Sequence, residues 1–380
     1  MSGIGPFDFT TAGRIRFGRG VANDAAALAL PFGRRILLVR GSSVAWVDEL
    51  ASQLRAQGAT VTEYRAAGEP DIAGVTAATA AGRGAAVDAV VGVGGGAILD
   101  LAKAAAALIP SQGHIMDHLE VVGQGRALTT DPLPMVAIPT TAGTGAEVTK
   151  NAVIAVPDAA RKVSLRDDRM LPRLALVDPA LTDNAPRAVT LGSGLDALVQ
   201  VIEPFLSSRA NLLTDAICRA AIPMGIAALR QLESGEDSDA RDAMAYVSLS
   251  GGLALANAGL GAVHGLAGVV GGRFGAPHGL ICGRLLGPVL AANHVGMGPS
   301  ARMDAVLDWL ATGFGLPRAD VFAALDARID AWGLDRLGRW IGSDADLTAV
   351  AQEAQASSSM RANPCILPVT TLEACLRVAL

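Results

Sequence analysis

Residues 87–93 carry Val87, Val90, Val91 and Val93 and pass directly into Gly94, Gly95 and Gly96. From 97 to 108 the chain is then rich in Ala and Leu, with no helix breaker. A buried strand, a tight turn and a helix fit this order. Without Cβ atoms, the glycines let an anion approach the backbone closely. The helix start adds unpaired N–H groups and the positive end of the macrodipole. A diphosphate site is therefore predicted at Gly94, Gly95, Gly96 and Ala97. The competing reading is a plain flexible turn, which the strand before and the helix after make less economical.

The same alternation runs through the first half. Strands are predicted at 35–39, 59–64, 135–139 and 174–177, and helices at 44–57 and 72–84. Continuous apolar strands separated by helices imply a parallel sheet covered on both faces. Asn184, Ala185 and Pro186 mark a break, and beyond it the pattern is helical throughout. The expected organisation is an α/β dinucleotide-binding domain with a parallel sheet over 1–184, followed by an all-α metal and substrate domain over 185–380. A second polar loop, 139–147, follows the strand at 135–139. Its Thr140, Thr141 and Thr144 suit ribose and phosphate contacts at a strand's carboxyl end, although Thr/Gly-rich turns are common.

Composition narrows the class. Hydrophobic residues make up 51% of the chain, which argues against disorder. With a net charge of -5 and no Lys/Arg run, nucleic acid and anionic membranes are not expected partners. The most apolar stretch, 251–272, is broken by Asn257, His264 and several glycines, and reads as a buried helix with a turn rather than a membrane span. The first ten residues lack a basic segment followed by an apolar one, so a cytoplasmic protein is expected. Cys218, Cys282, Cys365 and Cys375 have no CxxC spacing and read as buried free thiols.

The helical half offers one polar stripe, Asp196, Gln200 and Glu203, at helical spacing on an otherwise apolar segment. It holds three histidines: His264, His278 and His294. A carboxylate and two imidazoles with room for a substrate oxygen suit a catalytic divalent metal. The competing reading for each histidine is a hydrogen-bonded core or cap residue, because the separation of His264 and His278 is no recognised ligand spacing. His114 and His118 form an i, i+4 pair, but glycine-bearing segments flank them and a solvated loop is expected.

Taken together, these segments resemble the iron-containing alcohol dehydrogenase family, the group III enzymes related to glycerol dehydrogenase and dehydroquinate synthase. The resemblance covers nearly the whole chain. It includes Gly13–Gly18 as an opening strand, Glu69-Pro70-Asp71, Gly94–Gly96 with Asp100 and Lys103, and the 139–147 loop. It continues through Lys162, Pro172, Asp178-Pro179, Asp196-Ala197-Leu198 with Glu203, His264-Gly265 and Pro277-His278-Gly279. It implies a dehydroquinate synthase-like fold and reversible hydride transfer between NAD(P)H and a small alcohol, aldehyde or ketone, in a cleft between the two domains. A homodimer and an iron or zinc ion are also implied. Cofactor contacts are implied for Asp100 and Lys162, and catalytic roles for His264, His278 and Lys162.

Two positions depart from the family pattern: the usual DALxH histidine is Gln200, and a further histidine is replaced by Gly268. Asp196, His264 and His278 remain as metal ligands, with Gln200 able to offer an amide oxygen. A metal-independent reductase resembling maleylacetate reductase stays open. In that case His264, His278 and Lys162 would polarise the carbonyl as donors. A dehydroquinate synthase-like lyase would need clustered phosphate-binding cations, and Arg209, Arg219, Arg230 and Arg273 are scattered. Gln200 and Gly268 also motivate a catalytically silent dinucleotide-binding protein. For cofactor choice, Gly41 stands where NAD users often place a carboxylate. Arg40, Ser42 and Ser43 can receive a 2′-phosphate, so NADP is favoured over NAD.

Overall fold

The computed structural model describes residues 5–41 and 44–380, and its chain divides into two compact units. One comprises residues 11–141 and 145–183; the other comprises 5–10, 142–144 and 184–380.

In the first unit the strands are β1 (Ile15–Phe17), β2 (Arg35–Arg40), β3 (Thr60–Arg65), β4 (Ala89–Gly94), β5 (Met135–Pro139), β6 (Asn151–Val156), β7 (Arg161–Arg166) and β8 (Leu174–Val177). The helices are α1 (Ala25–Ala29), α2 (Trp46–Ala56), α3 (Ile72–Gly84) and α4 (Gly96–Leu108). Six strands form one sheet in the order β1-β8-β5-β4-β2-β3, and every pairing is parallel. The central strands are buried on both faces because α2 and α4 cover opposite sides. Leu37 and Val39 join the core under α4, while Ile36 and Leu38 join the core under α2. The sequence reading contained no antiparallel element. The β6–β7 hairpin supplies one, pairing Asn151 with Arg166 through to Val156 with Arg161.

Asp71 caps α3 by accepting the Gly74 N–H at 2.7 Å, which accounts for the helix starting at Ile72. Lys103 is buried inside α4. Its ammonium group donates to Thr149 Oγ1 at 2.8 Å and to the Asn151 carbonyl at 2.5 Å, and lies 3.0 Å from Asp100. Asp100 in turn accepts the Val153 N–H at 2.9 Å. This pair pins α4 to the hairpin.

The second unit carries α5 (Arg187–Leu206), α6 (Leu212–Ser234), α7 (Ser238–Ala258), α8 (Ala262–Phe274), α9 (His278–Met297), α10 (Ala301–Phe314), α11 (Val321–Ala331), α12 (Leu347–Gln355) and α13 (Val369–Ala379). Leu195, Leu198, Val201, Ile202 and Phe205 make α5 its central helix, packed by α6, α7 and α9. Helices α5, α6 and α9 are long and apolar enough to cross a membrane, yet the apolar window of α5 is 89% buried within the protein. The apolar 251–272 segment is the end of α7 and most of α8, bent by 102°. Gly259, at φ +74°, makes that break.

Candidate active site

Helices α5 and α9 meet almost backbone to backbone. A Cβ at Gly279 would lie 2.3 Å from the Gly192 carbonyl oxygen, and one at Gly283 would lie 2.4 Å from Leu195 Cδ1. Only glycine fits such an approach. Asp196, one turn beyond Gly192, is thereby set against His278 and Cys282, which stand one turn apart on α9. Helix α8 brings His264 to the same point.

The four side chains converge. Asp196 Oδ1 lies 3.3 Å from His264 Nε2 and 3.5 Å from His278 Nε2. Cys282 Sγ lies 3.8 Å from His264 Nε2 and 3.6 Å from His278 Nε2. One potential ligand atom from each residue falls within 4.8 Å of all the others. Asp196, His264 and Cys282 are buried, and the His278 side chain is 36% exposed.

Glu203 orients the cluster. Its Oε2 lies 2.7 Å from His264 Nδ1, and its Oε1 accepts the Val263 N–H at 2.7 Å. With the carboxylate accepting, Nδ1 holds a proton, so in the neutral ring that binds a metal the Nε2 lone pair would face Asp196, the arrangement of a metal-binding histidine with its supporting carboxylate. A Cβ at residue 261 would sit 2.8 Å from Glu203 Oε1, so Gly261 leaves the carboxylate its place.

The electrostatics match. Burial opposes the charge on Asp196, but His278 and His264 outweigh it and hold the carboxyl below its usual range. Burial likewise opposes charge on the imidazoles. Cys282 and Glu203 lift His264 well above its ordinary value, while Cys282 and Asp196 lift His278 to about 9. The pocket favours positive charge among these donors. Asp196 Oδ1 is also buried, and although the two imidazole nitrogens face it at 3.3 and 3.5 Å, no group among the described residues makes a hydrogen bond of good geometry to it. An unsatisfied buried carboxylate oxygen is costly, so the donor set fits a divalent cation.

Gln200, expected to offer an amide oxygen, donates its amide nitrogen to the Thr144 carbonyl at 2.7 Å. The three-residue segment 142–144 packs with the helices for a legible reason: a Cβ at Gly143 would lie 3.0 Å from Ser193 Cβ. His294 stacks obliquely against Phe322, outside the cluster. His114 caps a short turn through the Met116 N–H, in the loop expected for it, whereas His118 is buried rather than solvated, with Nδ1 3.0 Å from the Arg126 carbonyl.

In the first unit, β4 delivers Gly94 to the sheet's carboxyl edge, and α4 begins at Gly96 with Gly95 as its cap. A Cβ at Gly94 would lie 2.6 Å from Ile98 Cβ, and one at Gly95 would lie 3.2 Å from Thr141 Oγ1. The Thr140 N–H donates to the Gly94 carbonyl at 3.0 Å, so the two predicted loops stand side by side. Helix geometry leaves the amides of Gly96 and Ala97 without intrahelical acceptors, whereas the Ile98 N–H donates to the Gly95 carbonyl at 2.9 Å. Asp100, expected at the nucleotide, has its carboxylate engaged by Val153 and Lys103. Lys162 belongs to this unit and pairs with Glu69. Arg40 is buried and paired with Asp48 and Glu63, so its guanidinium is not a loose receptor for a 2′-phosphate. Gly41 abuts Ile98, and Ser42 and Ser43 lie outside the described residues.

Cys282 is the buried free thiol expected from sequence, but its i+4 spacing from His278 on a helix, the one local signal that could have set it beside His264 and His278, was not used.

Comparison with known proteins agrees with this architecture. The iron-containing alcohol dehydrogenase profile matches residues 12–179, and the C-terminal profile of the same Fe-containing family matches 190–377. The chain therefore belongs to the iron-containing alcohol dehydrogenase family, a family of NAD(P)-dependent oxidoreductases with the dehydroquinate synthase-like fold expected from sequence. It is 40% identical over 235 residues to long-chain-alcohol dehydrogenase 1 of Geobacillus thermodenitrificans, covering 61% of this chain and 59% of that protein. It is 33% identical over 317 residues to alcohol dehydrogenase 4 of Schizosaccharomyces pombe, covering 82% and 73%. The alignment thus spans under two thirds of the first relative. The crystal structure of a 1,3-propanediol oxidoreductase superposes with a TM-score of 0.88 at 28% identity, covering 99% of this chain and 100% of that one.

Proposed function

We propose that this protein catalyses reversible hydride transfer between NAD(P)H and a small alcohol or its carbonyl counterpart. The observation that carries the reading is the buried Asp196–His264–His278 cluster, with His264 oriented by Glu203. The glycine turn at 94–96 and the Thr140–Thr141 loop would hold the nucleotide diphosphate and ribose. His264 and His278 would face the reacting oxygen. Glu203 fixes the proton on His264 Nδ1 and keeps Nε2 aimed inward. Asp196, His264 and His278 would hold a divalent metal, whose Lewis acidity stabilises developing charge on that oxygen.

Relatives bear names that run from an NAD-dependent methanol dehydrogenase of Bacillus methanolicus to the long-chain-alcohol enzyme. A primary alcohol and aldehyde pair is accordingly the proposed substrate class. Gly41 presents no carboxylate to repel a 2′-phosphate, so NADPH remains the proposed preference. Arg40's ion pairs remove one of the supports for it. A homodimer is proposed on the family resemblance.

The test is NADH and NADPH oxidation against aldehydes, α-keto acids and maleylacetate, with and without chelator. Turnover abolished by chelator and restored by a divalent metal is expected. Turnover indifferent to chelator would select the metal-independent reading. No turnover and no nucleotide binding in folded protein would remove the proposal.

A further inference from the structure

We infer that Cys282 is itself a metal ligand, completing an Asp-His-His-Cys site with a thiolate and favouring zinc over iron. The inference rests on the proposed metal-assisted reading and names the fourth donor. Ligand bonds of about 2.1 Å to nitrogen or oxygen and about 2.3 Å to sulfur give tetrahedral donor–donor edges of about 3.4 Å and 3.6 Å. The Asp196–imidazole edges are 3.3 and 3.5 Å, and the sulfur–imidazole edges are 3.8 and 3.6 Å. Four of the six donor–donor edges thus stand near tetrahedral values, and all four donor atoms lie within 4.8 Å of one another.

A second observation points the same way. Asp196 Oδ1 is buried and unpartnered while facing these groups. A cation held by Asp196 and the two imidazoles would satisfy that oxygen, and Cys282 Sγ, 3.8 and 3.6 Å from the same two imidazole nitrogens, stands where the fourth donor to that cation would be. Metal binding releases the thiol proton to solvent, because the thiolate is the ligand. Thiolate ligation suits zinc, whereas sites of carboxylate and imidazole alone discriminate weakly among divalent ions. A substrate oxygen can still enter as a fifth ligand, as catalytic zinc sites permit.

The experiment strips the full-length protein with chelator and titrates it with cobalt(II), reading near-ultraviolet absorbance. Competition with zinc and iron(II) then ranks the ions, and turnover is recorded separately. The wild type is expected to bind one cobalt with a sulfur-to-cobalt charge-transfer band. Cys282→Ser should lose the band and bind zinc roughly tenfold or more weakly. Cys365→Ser should keep both. Circular dichroism checks that each variant is folded. If Cys282→Ser does not fold, alkylation of wild-type Cys282, followed by mass spectrometry, replaces it, and zinc should protect the thiol. A metal held through Asp196 without the charge-transfer band, or a thiol that zinc leaves unprotected, overturns the inference while leaving the oxidoreductase reading intact. Turnover without any bound metal overturns it too, whereas loss of all turnover in zinc-loaded protein counts against the reading beneath it.

Discussion

His264 Nδ1 sits 2.7 Å from Glu203 Oε2, on a helix other than its own, and the second oxygen of the same carboxylate holds the Val263 N–H. One acid therefore fixes both the tautomer of the imidazole and the backbone that carries it. In Glu203→Gln the amide has a single acceptor oxygen, which cannot serve both donors. Metal affinity or turnover is expected to fall about 10–100-fold while the protein stays folded. Isothermal titration with zinc and steady-state kinetics would check this, and unchanged values would mean that Glu203 does not position His264.

The close approach of α5 and α9 predicts opposite outcomes for two glycines. Gly279→Ala places a methyl 2.3 Å from the Gly192 carbonyl and should destabilise by about 1–3 kcal/mol or more. Gly268→Ala meets nothing within 4 Å and lies inside α8, so it should stabilise by about 0.5–1 kcal/mol. Urea midpoints of the two variants should move in opposite directions.

Glu147 gives a pH signature. Burial, only partly offset by its own backbone and by Lys103, pushes its carboxyl up to about 7. The folded protein then binds this proton more tightly than the unfolded chain does. The stabilisation it gives is complete below the ordinary carboxylate range, is lost as pH rises, and is gone above about 7. This contribution is worth about 3 kcal/mol at most. Glu147→Gln should flatten the fall in unfolding free energy between pH 5 and 7, read from denaturant titrations in that window. A slope equal to wild type would refute the shift.

Cofactor preference can be rewritten at Gly41. Its φ is not in the left-handed region, and an added Cβ would make an ordinary 3.7 Å contact with Ile98. Gly41→Asp should therefore fit, accept the ribose 2′-hydroxyl and repel a 2′-phosphate. The NADPH to NADH ratio of kcat/KM is expected to fall about tenfold or more. An unchanged ratio would place the discriminating contact elsewhere.

Much of the first unit was legible because its signals are local. Val90 to Gly96 announces strand and turn by composition, and the apolar period of 72–84 announces the helix that Asp71 caps in the structure. The β6–β7 hairpin was not read, and it explains Asp100 and Lys103: both are engaged by residues about fifty positions away.

By itself the sequence determined the alternation of strands and helices, the helical second half and the identity of the ligand-type residues. It did so because backbone propensity and apolar period act over a few residues. Tertiary structure alone decided which of those residues meet. Asp196, His264 and the His278–Cys282 pair lie on three helices, and the bare faces of Gly279 and Gly283 set the distance at which two of those helices pack. Packing across helices carries no fixed spacing along the chain, so a thiol that looked inert in sequence became the fourth donor of a buried cluster.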